Sequence, residues 1–143
     1  MKISTKGRYG IRFLTDIANQ SPGEHTTLAE ISNRQQISAA YLGQIAVVLK
    51  RAGYIRSIKG SGGGFLLAKP ASEIRISDVL RDLEGDLTIV DPPLPSDNET
   101  PYRSAIRIGL YQKIDRAIEN VLGELTLDKL SPNAGKQGYM YYI

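Results

Sequence analysis

The chain has 143 residues, no cysteine, one histidine and a net charge of +3 at pH 7. That inventory excludes disulfides, thiol catalysis, thiolate-held iron–sulfur clusters and any multi-histidine metal centre, and gives no reason to expect a cofactor. Apolar residues make up 41% and charged residues 23%, as in a globular domain, and no apolar run approaches the ~20 residues that span a bilayer.

The charge is unevenly placed. Residues 1–69 hold ten Lys/Arg against three Asp/Glu, a balance of +7, and residues 70–143 hold eight against twelve, a balance of −4. A basic first half is expected to meet a polyanion. The opening MKISTKGRYG lacks the apolar core of a signal peptide, so the expected location is the cytoplasm, with no membrane partner.

In chain order, residues 2–20 read as a helix with Ile11, Leu14, Ile17 and Ala18 on one face. SPGEH is a loop, and His25 within it is an ordinary surface histidine. Thr27 and Glu30 form a capping box that opens a short second helix carrying Leu28 and Ile31 inward. After the turn QQIS, Ser38 is placed to cap a third helix. Its buried stripe is Leu42, Ile45, Val48, Leu49 and Ala52, and Gly53 ends it. YIRSI and FLLA, joined by KGSGGG, read as a β-hairpin. ISDVLRDLEG is helical, with Ile76, Val79, Leu80 and Leu83 on one face. Asp91 to Pro101 is a proline- and acid-rich loop. A long helix follows, with Ile106, Leu110, Ile114, Ala117, Val121 and Leu125 recurring every three or four positions. TLDKL begins a short last helix at Thr126. The chain then runs through SPNAGKQ to GYMYYI, an aromatic end unlike an ordinary polar tail.

Three helices and a hairpin within about 70 residues make a winged helix-turn-helix, and the turn length suits the motif. The fold class is therefore mainly α with a small β-hairpin, a winged helix-turn-helix unit followed by a long helix. The third helix would enter the major groove. Its outward residues are Ser38, Ala39, Tyr41, Gln44 and Val47. Gln44 can pair with adenine through both its amide atoms. Ser38 and Tyr41 have hydroxyls for phosphate oxygens, although Ser38 equally caps its helix and Tyr41 equally packs as a core aromatic. At the hairpin tip, Lys59 stands beside Gly60, Gly62, Gly63 and Gly64. A lysine on a glycine tip can enter a minor groove, where negative potential is strong. Arg56 and Lys69 flank the tip for phosphates, as do Lys2, Lys6, Arg8 and Arg12 at the start of the chain. A nucleotide-phosphate loop is excluded, because its lysine follows the glycines and leads into a helix. One histidine, no cysteine and no paired-carboxylate motif leave little for an enzyme. Asp78 and Asp82, four apart, are a solvated helix face.

MKISTKGRYG, YLGQI, GYIRSIKGSGGGFLLAKP and ISDVLRDLEG together resemble the Rrf family of bacterial winged-helix transcription regulators, closely over residues 1–85 and by layout along the long helix. The resemblance implies a homodimer on a palindromic double-stranded DNA operator, with repression the expected sign. It implies a DNA-binding unit over 1–85, a loop over 86–101 where other members hold a cluster with cysteines, a dimerisation region over 102–130 and a tail over 131–143. By motif it assigns base and phosphate contacts to Ser38, Tyr41 and Gln44, and puts Lys59 where members carry a minor-groove arginine. Gly43 departs from the glutamate of the family's YLEQ motif. The cysteine-free loop points to the CymR-like branch of cysteine-metabolism repressors. That branch works with cysteine synthase (O-acetylserine sulfhydrylase), whose active site accepts a partner's C-terminal isoleucine. The resemblance thus implies that Tyr141, Tyr142 and Ile143 insert into cysteine synthase. The alternatives are a tail folded back on the dimer helix, and a regulator that binds a small effector directly between the long helix and loop 86–104.

Overall fold

In a computed structural model, the protein is described over residues 2–132. Its helices are α1 (Thr5–Ala18), α2 (Leu28–Gln35), α3 (Ala39–Arg51), α4 (Ile76–Glu84), α5 (Pro101–Ile106) and α6 (Gln112–Gly123). Between α3 and α4 lie strands β1 (Ile55–Ile58) and β2 (Gly64–Leu67). They pair antiparallel, with Ile55 opposite Leu67 and Ile58 opposite Gly64. This is the expected winged helix-turn-helix.

Local chemistry sets the helix starts. Ser4 accepts from the Gly7 amide and begins α1 three residues later than the apolar pattern indicates. Thr27 accepts from the Glu30 amide at 3.1 Å, the N-cap half of the expected capping box, while the Glu30 carboxylate accepts from the Thr27 hydroxyl at 3.0 Å rather than from its backbone amide. Ser38 accepts from the Tyr41 amide at 3.2 Å and starts α3. In the turn between α2 and α3, Gln36 takes a left-handed backbone with φ of 56°. Its side chain donates to the Asn33 carbonyl at 2.7 Å. Ile37 is buried behind that turn.

The core joins α1, α3, the base of the wing and α4 through Phe13, Leu14, Ile17, Leu42, Ile45, Leu49, Ile55, Val79 and Leu80, all nearly sealed from solvent. Phe13 is fully buried and meets Phe65 of β2 edge-on at 5.7 Å. Burial of a ring of that size is worth about 2–3 kcal/mol. The expected face of α4 is confirmed at all four positions. On α3 the buried set is Leu42, Ile45, Ala46 and Leu49, with Val48 half-buried and Ala52 exposed. Gly53, at φ of 86°, ends the helix as expected.

The long helix differs from its expected form. A π-helical turn over Arg107–Tyr111 separates α5 from α6, and none of the three segments buries a residue. A turn of this kind widens the backbone ring and shifts the side chains that follow around the axis. After α6 the chain comes back to the first unit. Leu127, in a 3₁₀ turn over Leu127–Leu130, is buried in its core. The Leu127 amide donates to the Ile74 carbonyl at 2.9 Å, and the Ile76 amide to the Leu125 carbonyl at 3.0 Å. Among the described residues no helix is long and apolar enough to cross a membrane.

Candidate nucleic-acid interface

A buried carboxylate links α1 to α2 and the wing. Asp16 of α1 is 4% exposed. It accepts from Arg34 through both oxygens, Nη2 at 2.8 Å and Nε at 3.1 Å, and from the Gln35 amide at 2.9 Å. Hydrogen bonding to Asp16 raises the Arg34 pKa above its ordinary value. Arg34 Nη2 also donates to the Thr26 hydroxyl at 2.6 Å. The Thr26 backbone exchanges two hydrogen bonds with Phe65, at 3.1 and 2.7 Å. One network therefore joins α1, α2 and β2. A buried charge is tolerated only when its acceptor sites are filled in this way. Sequence periodicity gave no sign of Asp16, because a lone aspartate in a helix reads as surface.

Helix α3 is tied to the wing directly. Lys50 near the end of α3 donates to the Ser57 hydroxyl of β1 at 2.8 Å. Tyr54 between them donates its hydroxyl to Asp82 of α4 at 2.5 Å and lies beneath the Lys69 ammonium at 5.1 Å. Burial, then the Asp82 hydrogen bond, pushes the Tyr54 pKa well above the usual tyrosine range.

Against this frame the sequence-predicted contact residues separate. Gln44 is exposed on α3, with Ala39, Ala40 and Val47. Ser38 is exposed, and its oxygen is engaged as the helix cap. Tyr41 is half-buried, its ring edge-on to Tyr9 at 5.7 Å, so most of its area is packing. Arg56 and Lys59 are exposed on the wing. Gly60 has φ of 110°, a conformation that side-chain-bearing residues rarely adopt. Its carbonyl accepts from the Gly63 amide at 3.0 Å, and a Cβ on Gly63 would strike the Ile58 carbonyl oxygen. These two glycines shape the tight tip, whereas Gly62 stands in open space. Arg8 is exposed and donates to the Thr5 hydroxyl at 3.1 Å. Arg12 is committed to Gln35 at the end of α2 and lies over the Tyr9 ring. Lys2 lies elsewhere. With Ile3, Leu80, Ile114 and Val121 it lines a groove of about 550 Å³ between α4 and α6. Tyr141, Tyr142 and Ile143 fall outside the described residues.

Where the alternative reading put a direct effector site, between the long helix and loop 86–104, there is a groove of about 950 Å³ between loop 88–99 and the helix from α5 to α6. Val90, Pro93, Leu94 and Ile106 supply apolar walls, with Arg103 and Tyr111 among the polar lining. The Ile89 amide donates to Asp115 at 3.0 Å, and Arg107 donates to Glu99 at 2.7 and 2.9 Å, so the loop is tied to the helix at both ends. The Arg107 hydrogen bond draws the Glu99 pKa below the ordinary carboxylate value.

The chain matches the Rrf2 family model, described as iron-dependent transcriptional regulator, over residues 3–133. The transcriptional regulator CymR of Bacillus subtilis is 34% identical over 145 residues, covering 100% of both chains. The regulator IscR of Cereibacter sphaeroides is 48% identical over 86 residues, 59% of this chain and 56% of that one. The solved structure of B. subtilis CymR, described as that organism's global cysteine regulator, superposes with a TM-score of 0.78 at 32% identity, covering 92% of this chain and 96% of that one. The iron of the family description finds no matching donors here. The chain has no thiolate, and among the described residues no group of three His, Asp or Glu could hold a metal ion. With its winged fold, an exposed face on α3 and relatives named as transcriptional regulators, the chain belongs to the Rrf2 family of transcriptional regulators.

Proposed function

We propose that the protein binds double-stranded DNA as a homodimer and represses transcription, with α3 in the major groove and Lys59 of the wing in the neighbouring minor groove. In this reading residues 1–85 meet the operator and the long helix pairs with its mate. The observation that carries it is the two-sided character of α3. Leu42, Ile45 and Leu49 are sealed in the core while Ala40, Gln44 and Val47 face solvent beside a basic wing. The case for a dimer rests on the long helix. Tyr102 is 84% and Val121 69% exposed, and Ile106, Leu110 and Ile114 are exposed with them, an apolar stripe of the kind that marks an interface. Two copies would present two reading helices to half-sites about one helical turn apart. A gel shift against DNA selected from a random pool tests this. Binding weakened by salt on an inverted repeat is expected, and no salt-sensitive binding would overturn it.

For the signal, Tyr141, Tyr142 and Ile143 insert into cysteine synthase, and O-acetylserine competes for the same pocket. Two facts support this: the cysteine-free composition and the full-length similarity to a cysteine regulator. Titration of cysteine synthase, followed by its cofactor fluorescence, should show saturable binding that O-acetylserine reverses and deletion of Ile143 abolishes. Equal binding by the deletion variant would sink the idea. The groove between loop 88–99 and the long helix favours a second reading, a small effector bound directly. Its size lies within the range of small-molecule sites, and the π-helical turn Arg107–Tyr111 that borders it is a feature often found at functional sites.

A further inference from the structure

The basic charge of the first unit is absent from the face of α3 that would read bases. Between Ser38 and Lys50 there is no lysine or arginine. The exposed residues in that stretch are Ala39, Ala40, Gln44 and Val47, with Tyr41, Gly43 and Val48 intermediate. Positions 40, 43, 44 and 47 lie three or four apart and so form one stripe along the helix. Val47 is 55% exposed, while its neighbours Ala46 and Val48 pack on the core. Gly43 adds a second observation. A Cβ there would meet only Leu28 Cδ2, at 3.7 Å, an ordinary contact. Nothing inside the fold requires glycine at this position, and a mid-helix glycine is unfavourable relative to alanine. What the missing Cβ provides is closer approach from outside.

The major groove distinguishes bases by chemistry. Guanine is read by arginine or lysine, adenine by a glutamine or asparagine amide, and thymine by apolar contact with its C5-methyl group. We propose that Ala40, Gly43 and Val47 form a thymine-methyl strip beside Gln44, so that α3 reads an A·T core in each half-site. This rests on the DNA binding proposed above. Lys50 and Arg51 follow the strip at the end of α3, and Arg56 and Lys59 are exposed on the wing. That charge complements phosphates and fixes the approach without selecting bases. The strip offers no large aromatic anchor of the sort that dominates protein interfaces, which favours DNA over a protein partner.

The test uses the full chain and duplexes selected from a random pool. Each thymine of a selected site is replaced in turn by uracil, which removes only the methyl group. At one or more positions in each half-site, uracil is expected to weaken binding about three- to fivefold, the equivalent of one buried methyl. Val47→Ala should bind the thymine and uracil forms of such a position equally. Gly43→Ala should melt no lower than the parent yet bind the selected site at least threefold more weakly. Absence of salt-sensitive binding to any duplex would overturn DNA binding itself. Binding that is blind to thymine against uracil at every position, or selected half-sites with a G·C core under α3, would overturn the strip alone.

Discussion

Helices α4 and α6 have the same apolar period and opposite fates. Ile76, Val79, Leu80 and Leu83 of α4 are buried against α1 and α3. Ile114, Ala117 and Val121 of α6 remain exposed along an open groove beside α4, although α6 contacts α4 and the Arg81–Glu119 ion pair joins the two. A period of three and four specifies that a face exists, not which chain will cover it. The partner of α4 lies within the chain, and that of α6, in the dimer proposed here, is a second copy.

That contrast can be broken by substitution. Phe13→Ala in the core should lower unfolding free energy by about 3–5 kcal/mol in urea titrations, since the ring is fully enclosed. Val121→Asp should leave the stability of the single chain within about 0.5 kcal/mol, as for any exposed position. It should weaken self-association in sedimentation by at least about a hundredfold, because it places an unpaired charge in the proposed interface. Equal losses of chain stability in both variants would remove the distinction between the two faces.

Smaller effects sharpen it. Asp16→Ala should cost about 2–3 kcal/mol, less than a fully enclosed pair because the Arg34 side chain is 39% exposed. It should also reduce DNA affinity, since the network sets α2 and the wing. Tyr54→Phe should cost about 1–2 kcal/mol through loss of the bond to Asp82. The hydroxyl's folded pKa is raised, so its contribution is fully present below about pH 10, the unfolded value, and fades as pH rises beyond it. The parent should therefore lose stability at alkaline pH where the phenylalanine variant loses less. Lys59→Ala should leave folding untouched and flatten the salt dependence of DNA binding by about one unit of slope.

The winged unit was legible in the sequence because its signals are local. Thr27 with Glu30, Ser38, and Gly53 each mark a helix end within a few residues, and α4 shows its face in nine. Phe13 escaped because the stripe through Ile11, Leu14 and Ile17 is narrower than the real buried face. The π-helical turn at Arg107–Tyr111 escaped because the apolar spacing continues across it. The Asp16–Arg34–Thr26 network and the groove beside Arg103 unite residues that only the folded chain brings together. The strip on α3 was partly visible: Gln44 and Val47 were placed outward by elimination, but the needlessness of Gly43 for packing required its surroundings.

The most direct measurement is the stoichiometry and salt dependence of the purified chain on a selected duplex, by sedimentation across a series of salt concentrations. Two chains per inverted repeat, with log affinity falling linearly against log salt, is the predicted result. One chain per duplex, or binding indifferent to salt, would contradict a DNA-reading dimer held by the long helix.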